Sequence, residues 1–199
     1  MPRDFGRNPL RENIANIAAR LMAEDGIEDY AQAKRKAARQ VGATDARQLP
    51  TNDQIDTALA AYRGLFQQDH SAQLRALREL ALGIMQELSA FNPYLTGSVL
   101  RGSAGIYANI QLQLFCENLK TVEHYLLGKS VPFRSADTRL FAGDIPVVAP
   151  VLIFGRAGYD IHLTLLSLRD LRVPLKTALS GKPIDRAKAQ AVAALIAEG

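Results

Sequence analysis

Apolar residues recur at helical spacing through the first part of the chain and switch to alternation further on, and this change of period predicts two structural regions. In the first, Asn8 caps a helix with Pro9 in its first turn, Ile14, Ile17, Ala18, Leu21 and Met22 share one face, and Gly26 supplies a stop. A second helix is expected from about Glu28 to Val41, ending at Gly42. A third starts at Thr51, Asn52, Asp53, Gln54, a capping-box pattern that follows Pro50, and Ile55, Leu59, Tyr62 and Phe66 make its buried stripe. A longer helix begins near Ser71, turns Leu74, Leu77, Leu80, Ala81, Ile84, Met85 and Leu88 inward, and ends before Asn92 and Pro93.

Strand patterns follow. Tyr94 to Leu100 reads as the first and Asn109 to Cys116 as the second, after which Asn118 caps a helix carrying Leu119, Val122, Leu126 and Leu127 and stopping at Gly128. Further strands are expected at Val131 to Ser135, Val147 to Phe154 and Tyr159 to Leu166, the last two joined through Gly155, Arg156, Ala157 and Gly158. A final helix is expected over Asp185 to Ala197, behind Gly181 and Pro183. The fold class is therefore α+β: a helical region over residues 1–70, then a mixed β-sheet with flanking helices over residues 71–199.

Composition narrows the class. With 199 residues, 48% hydrophobic and 22% charged, the chain can bury one sizeable core and a smaller helical unit. The start from Met1 to Arg7 is polar with no apolar run behind it, so no signal peptide and no membrane partner are expected. Cys116 is the only cysteine, which excludes a disulfide framework and cysteine-based zinc sites and leads to the expectation of a cytoplasmic protein. Its neighbours Leu112, Leu114 and Phe115 make it a buried small hydrophobe. The net charge of +4 is compatible with phosphate-bearing partners, and its one local concentration is Lys34, Arg35, Lys36 and Arg39. Those four lie on a helix whose apolar side is Ala33, Ala37, Ala38 and Val41, so they read as a solvated helix face or as a set of nucleic-acid phosphate contacts.

The segment richest in chemistry runs Gly97, Ser98, Val99, Leu100, Arg101, Gly102, Ser103, Ala104, then Asn109, Ile110, Gln111, Leu112. Its layout resembles the small nucleotidyltransferases of the DNA polymerase β superfamily, whose motif is G-S-x-x-x-G-x-A followed on the next strand by D-x-D. The distance from Ser98 to Asn109 matches the distance in that family from the serine to the first aspartate. The resemblance covers roughly residues 71–167, and in this chain the two D-x-D positions hold Asn109 and Gln111. It implies a nucleotide-binding set of Gly97, Ser98, Gly102, Asn109 and Gln111. It also implies a third carboxylate on a later strand, for which Asp160 is the candidate catalytic acid. Alternation puts Asp160 and His162 on one side of their strand, opposite Tyr159, Ile161 and Leu163. The whole chain, including the runs Asp29 to Ala38 and Phe91 to Ser98, also resembles a proteobacterial family that carries no established activity.

Two-metal nucleotidyl transfer needs anionic oxygens to hold Mg2+ in tight octahedral geometry, and neutral amides do not replace them. No cofactor is therefore expected, with Mg2+ entering only if the chain is active. Three functions follow: a catalytically degenerate protein that binds a nucleotide or another phosphate-bearing ligand in the ancestral cleft, an active nucleotidyltransferase with an atypical metal shell, or a nucleic-acid-associated helical module. Other chemistry is thinly represented. His70, His124 and His162 share no ligand spacing, Ser98 and Ser103 lack a G-x-S-x-G elbow, and no glycine-rich segment is followed by the Lys and Ser or Thr that an ATP-dependent ligase would need. Arg101 is the basic residue beside the motif, suited either to charge supply or to a solvated loop.

Overall fold

The computed structural model describes residues 9–24, 27, 29–43, 45–66, 70–105, 108–179 and 182–198. These form two compact units, one from residues up to Ala72 together with 105–107, the other from Gln73 to Ala104 and from Ala108 onward.

The first unit is helical, with α1 at Pro9–Glu24, α2 at Tyr30–Gln40 and α3 at Asn52–Phe66. The start of α2 is fixed by Asp29, whose carboxylate accepts from the backbone N–H of Ala31 at 2.7 Å and of Gln32 at 3.4 Å. Thr51 and Gln54 form the reciprocal pair that the sequence pattern predicts: the Gln54 side chain accepts from the Thr51 N–H at 2.9 Å and the Thr51 hydroxyl accepts from the Gln54 N–H at 3.2 Å. Ile14, Ala18, Ala33, Ala37 and Ile55 are buried in one cluster, while Ala19, Ala23 and Leu59 make another. Alanine on facing surfaces lets the three helices approach closely, so burial of Ile14, Ile55 and Leu59 provides the main stabilisation, about 1.5–3 kcal/mol each. The expected roles of Asn8 and Gly26, and the side chain of Phe66, lie outside the described residues.

In the second unit, α4 (from His70 in the first unit to Glu87) leads into β1 (Pro93–Thr96), α5 (Gly97–Arg101), β2 (Ile110–Cys116) and α6 (Lys120–Gly128). There follow β3 (Arg134–Ala142), β4 (Ile145–Arg156), β5 (Tyr159–Ser167), β6 (Leu175–Lys176) and α7 (Ala189–Ala197). The six strands form one mixed sheet in the order β1-β2-β5-β4-β3-β6, and the fold class is α+β. All strand pairs among the described residues are antiparallel apart from β2 with β5.

Alternation sorts each strand between two faces. Ile110, Leu112 and Leu114 of β2, Leu152 and Phe154 of β4, and Ile161, Leu163 and Leu165 of β5 meet Leu77, Ile84 and Met85 of α4, Val122 and Leu126 of α6, and Val192 of α7. On the other face Phe115, Leu140, Ala149, Leu166 and Leu175 form a smaller cluster at one end. Arg186 covers that cluster, its guanidinium 5.3 Å from the Phe115 ring and 5.9 Å from the Tyr94 ring.

Four elements differ from the sequence expectation. The first strand ends at Thr96 rather than Leu100, because Gly97 takes a left-handed φ of 74° and the chain turns into α5. The third strand occupies Arg134–Ala142 instead of Val131–Ser135, since its partner is β4 across a turn at Gly143 and Asp144, and its exposed Arg134, Asp137 and Arg139 hide the alternation. The last helix starts at Ala189 rather than Asp185, because the backbone N–H and C=O of Ala187 bond to Leu95 at 2.9–3.0 Å and hold that stretch extended. β6 is only two residues long and leaves no periodic signal. The hairpin between β4 and β5 forms where expected, tightened to the two residues Ala157 and Gly158 with φ of 53° and 82°.

Candidate functional site

β1 delivers the chain to Gly97 beside β2. Thr96 pairs with Gln111 and donates its hydroxyl to the Gln111 carbonyl at 3.2 Å. Gly97 then crosses close to the Gln111 side chain: a Cβ built at position 97 would lie 2.7 Å from Oε1 of Gln111. Glycine is required here twice over, by the positive φ and by this approach. Ser98 is the second residue of α5, and its carbonyl accepts from the N–H of Gly102 and, at 2.9 Å, from that of Ser103. Gly97 and Ser98 therefore sit one step beyond the strand, at the start of a short helix, rather than at the strand end that the sequence suggests.

The parallel pairing of β2 with β5 sets Gln111 beside His162 and Ile110 beside Ile161. Asp160 lies on the face that Gln111 and His162 share, and Asn109, one residue before β2, is joined to that face through Gln111. Gln111 Nε2 donates to Asn109 Oδ1 at 2.8 Å, so the two amides form one unit. Register across the next strands continues the row, with His162 opposite Ile153 and Ile153 opposite Arg134. Asp160 pairs across β4 with Gly155, where an added Cβ would meet nothing within 4 Å. Above these strands Arg134 Nη2 donates to Asp160 Oδ2 at 3.2 Å, in an ion pair whose side chains are 67% and 54% exposed. Burial holds the His162 imidazole below its ordinary pKa; Asp160 opposes the shift and Arg134 adds to it. His162 is thus neutral at neutral pH.

Of the residues expected to act together, the sheet brings Gly97, Asn109, Gln111 and Asp160 to one face, with Ser98 next to Gly97. Gly102 has a separate job. Its φ of 80° ends α5, and a Cβ there would point toward Arg78 Nη2 at 3.6 Å and Leu74 Cδ2 at 3.7 Å. Lys34, Arg35, Lys36 and Arg39 belong to α2 in the other unit. There Lys34 is half-buried and donates to Asn52 Oδ1 at 2.7 Å, with its pKa lowered by burial, while Arg35, Lys36 and Arg39 are exposed. Cys116 is buried, and burial pushes its thiol pKa up, against the character of a reactive thiol.

Three contributors were not singled out in the sequence. Arg134 is brought to Asp160 by register across β4, which no local pattern encodes. Gly155 reads only as a turn residue, although it is the open cross-strand partner of Asp160. Arg78 is buried under α5, donating Nε to the Val99 carbonyl at 3.3 Å, Nη2 to Leu100 at 3.3 Å and Nη1 to Leu195 at 3.4 Å. Burial lowers its pKa, and the bonds to the last carbonyls of α5 hold that helix, and with it Gly97 and Ser98, in place. The signal for Arg78 was a single basic residue on the apolar side of α4.

A divalent ion does not suit this donor set. Asp160 is the one carboxylate among the residues named here and is already paired with Arg134, and Asn109 and Gln111 are neutral, whereas hard cations are held through carboxylates, with carbonyls, waters or substrate phosphates filling the other positions. Among the described residues no group of three His, Cys, Asp or Glu side chains is placed to hold a metal ion. On the helix-covered side a cavity of about 460 Å³ is lined by Ile84, Leu88, Tyr125 and Phe154, with Glu87 and Arg156 at its rim. Those two charges satisfy each other in a bidentate pair at 2.6 and 2.7 Å. No helix among the described residues is long and apolar enough to cross a membrane. Compared with known proteins, the chain matches no family model and no curated protein sequence.

Proposed function

We propose that this chain is a nucleotidyltransferase-like binding protein of the cytoplasm, catalytically degenerate, that takes a nucleotide or another phosphate-bearing ligand on the open face of its sheet. The observation that carries the reading is the convergence of Gly97, Asn109, Gln111 and Asp160 on that face, from segments distant in sequence. The resemblance in motif spacing supports the same placement. Catalysis is absent from the reading because in-line transfer needs metal-held oxygens, and the two positions that would hold metal carry amides. The alternative of a nucleic-acid module on α2 loses support, since Lys34 is engaged with Asn52 in its own unit.

A thermal-shift titration with nucleoside mono-, di- and triphosphates, each with EDTA and with Mg2+, tests the reading. A ligand at one hundred times its Kd should stabilise the protein by about 2.7 kcal/mol. Gly155→Leu should abolish the shift while leaving the unliganded melting temperature close to wild type, because its side chain enters open space beside Asp160. Absence of a saturable shift across the panel, or a shift that Gly155→Leu leaves intact, would overturn the assignment.

A further inference from the structure

We propose that Arg134 supplies the positive charge that a divalent ion would bring to such a cleft, so that the phosphate group of the ligand is bound as a metal-free anion. This rests on the cleft being the phosphate site. The observation behind it is the mismatch between motif and donor set: a layout that resembles a metal-dependent site holds two amides bonded to each other and one carboxylate bonded to a guanidinium. Among Asn109, Gln111, Asp160, His162 and Arg134, charge is balanced before any ligand arrives, since His162 is neutral and Arg134 offsets Asp160. A divalent cation entering there meets one carboxylate and is repelled by Arg134. An anion meets a guanidinium and neutral donors.

The geometry suits the role. Arg134 comes from the first residue of β3 and reaches Asp160 on β5, spanning β4 at the level of Ile153 and Gly155. The hydrogen bond to Asp160 uses one N–H of Nη2, which leaves the other N–H groups of the guanidinium as donors for phosphate oxygens. With both partners more than half exposed, the ion pair contributes little to stability and rearranges at small cost. Asp160 then acts as a positioning residue that holds the guanidinium over the face, and the missing side chain at Gly155 leaves the ligand side open. Bare phosphoanions are thus preferred over their Mg2+ complexes, whose charge is already partly neutralised.

Calorimetric titration with inorganic tripolyphosphate and with ATP, in EDTA and in excess Mg2+, decides this for wild type, Arg134→Gln and Arg139→Gln. Arg139 lies on the same strand but opposite Val148, on the other face, and serves as the control. Binding is expected in EDTA, weakened by excess Mg2+, reduced roughly tenfold or more by Arg134→Gln and unchanged by Arg139→Gln. Binding that requires Mg2+, or that survives Arg134→Gln at full strength, would overturn the role of Arg134 while leaving the cleft as the phosphate site. Failure of both probes to bind in either condition would overturn this inference, and the nucleotide panel above then decides separately whether the cleft binds phosphate at all. Circular dichroism of Arg134→Gln verifies that the loss is not unfolding, which the exposure of the pair makes the expected outcome.

Discussion

Two sets of residues on the single strand β2 meet different demands. Ile110, Leu112 and Leu114 are fully buried under the helices, each against an apolar partner on β5, and this side of the strand is apolar along its whole length. The alternate residues change character along the strand: Phe115 is buried in the small second cluster, Gln113 is buried with its Oε1 lacking a hydrogen-bond partner among the described residues, and Gln111 is half-buried beside Asn109. Burying apolar surface explains the first set completely. It explains only Phe115 in the second. The gradient from Phe115 to Gln111 shows where the sheet stops serving the core, and Asp160, His162 and Arg134 accumulate at that end.

Substitutions on the two faces should therefore behave differently. The largest effect is expected for Leu163→Ala, which opens a cavity between β5 and the helices and should cost about 3 kcal/mol in chemical denaturation. A loss below about 1 kcal/mol would mean the helix-covered face is loosely packed. Gly97→Ala comes next, at about 1–2 kcal/mol, mostly from forcing a Cβ into the left-handed region and partly from displacing the Gln111 amide. Combining it with Gln111→Ala should return only the smaller, steric share, and recovery of the full loss would show that backbone conformation at position 97 is not limiting. The smallest effect concerns His162. Its folded pKa lies below the unfolded value, so the unfolded chain binds the proton more readily; stability from this group is complete above about pH 6.5 and is lost as pH falls through the folded pKa. The fall in melting temperature from neutral to acidic pH should be shallower in His162→Gln, and parallel curves would show that burial of this ring is not coupled to folding.

Much of the fold was legible because period and capping are local. Thr51 with Gln54 named the start of α3, Ala33, Ala37 and Ala38 named the buried side of α2, and alternation from Ile110 to Cys116 named β2. The site was legible only in part. Gly97, Asn109, Gln111 and Asp160 could be proposed from the family resemblance carried by a short motif, and alternation added only that Asp160 and His162 share a side of their strand. Arg134 could not, because its partner is fixed by two successive registers through β4, and the partners of Arg78 could not, because they are carbonyls at the end of α5 and in α7. Gly102, which the resemblance places in the ligand set, terminates α5 with its positive φ.

The parallel pairing of β2 with β5 also sets the order in which this unit can assemble. β3, β4 and β5 are joined by tight turns and can zip as a local meander, whereas Gln111 and His162 are about fifty residues apart and meet only after a long loop is closed. On a ribosome, β2 emerges early and waits with its edge unpaired until residue 167 has been made. A chain stopped before β5 would retain every residue from Gly97 to Gln111 yet leave that edge of β2 without its parallel partner.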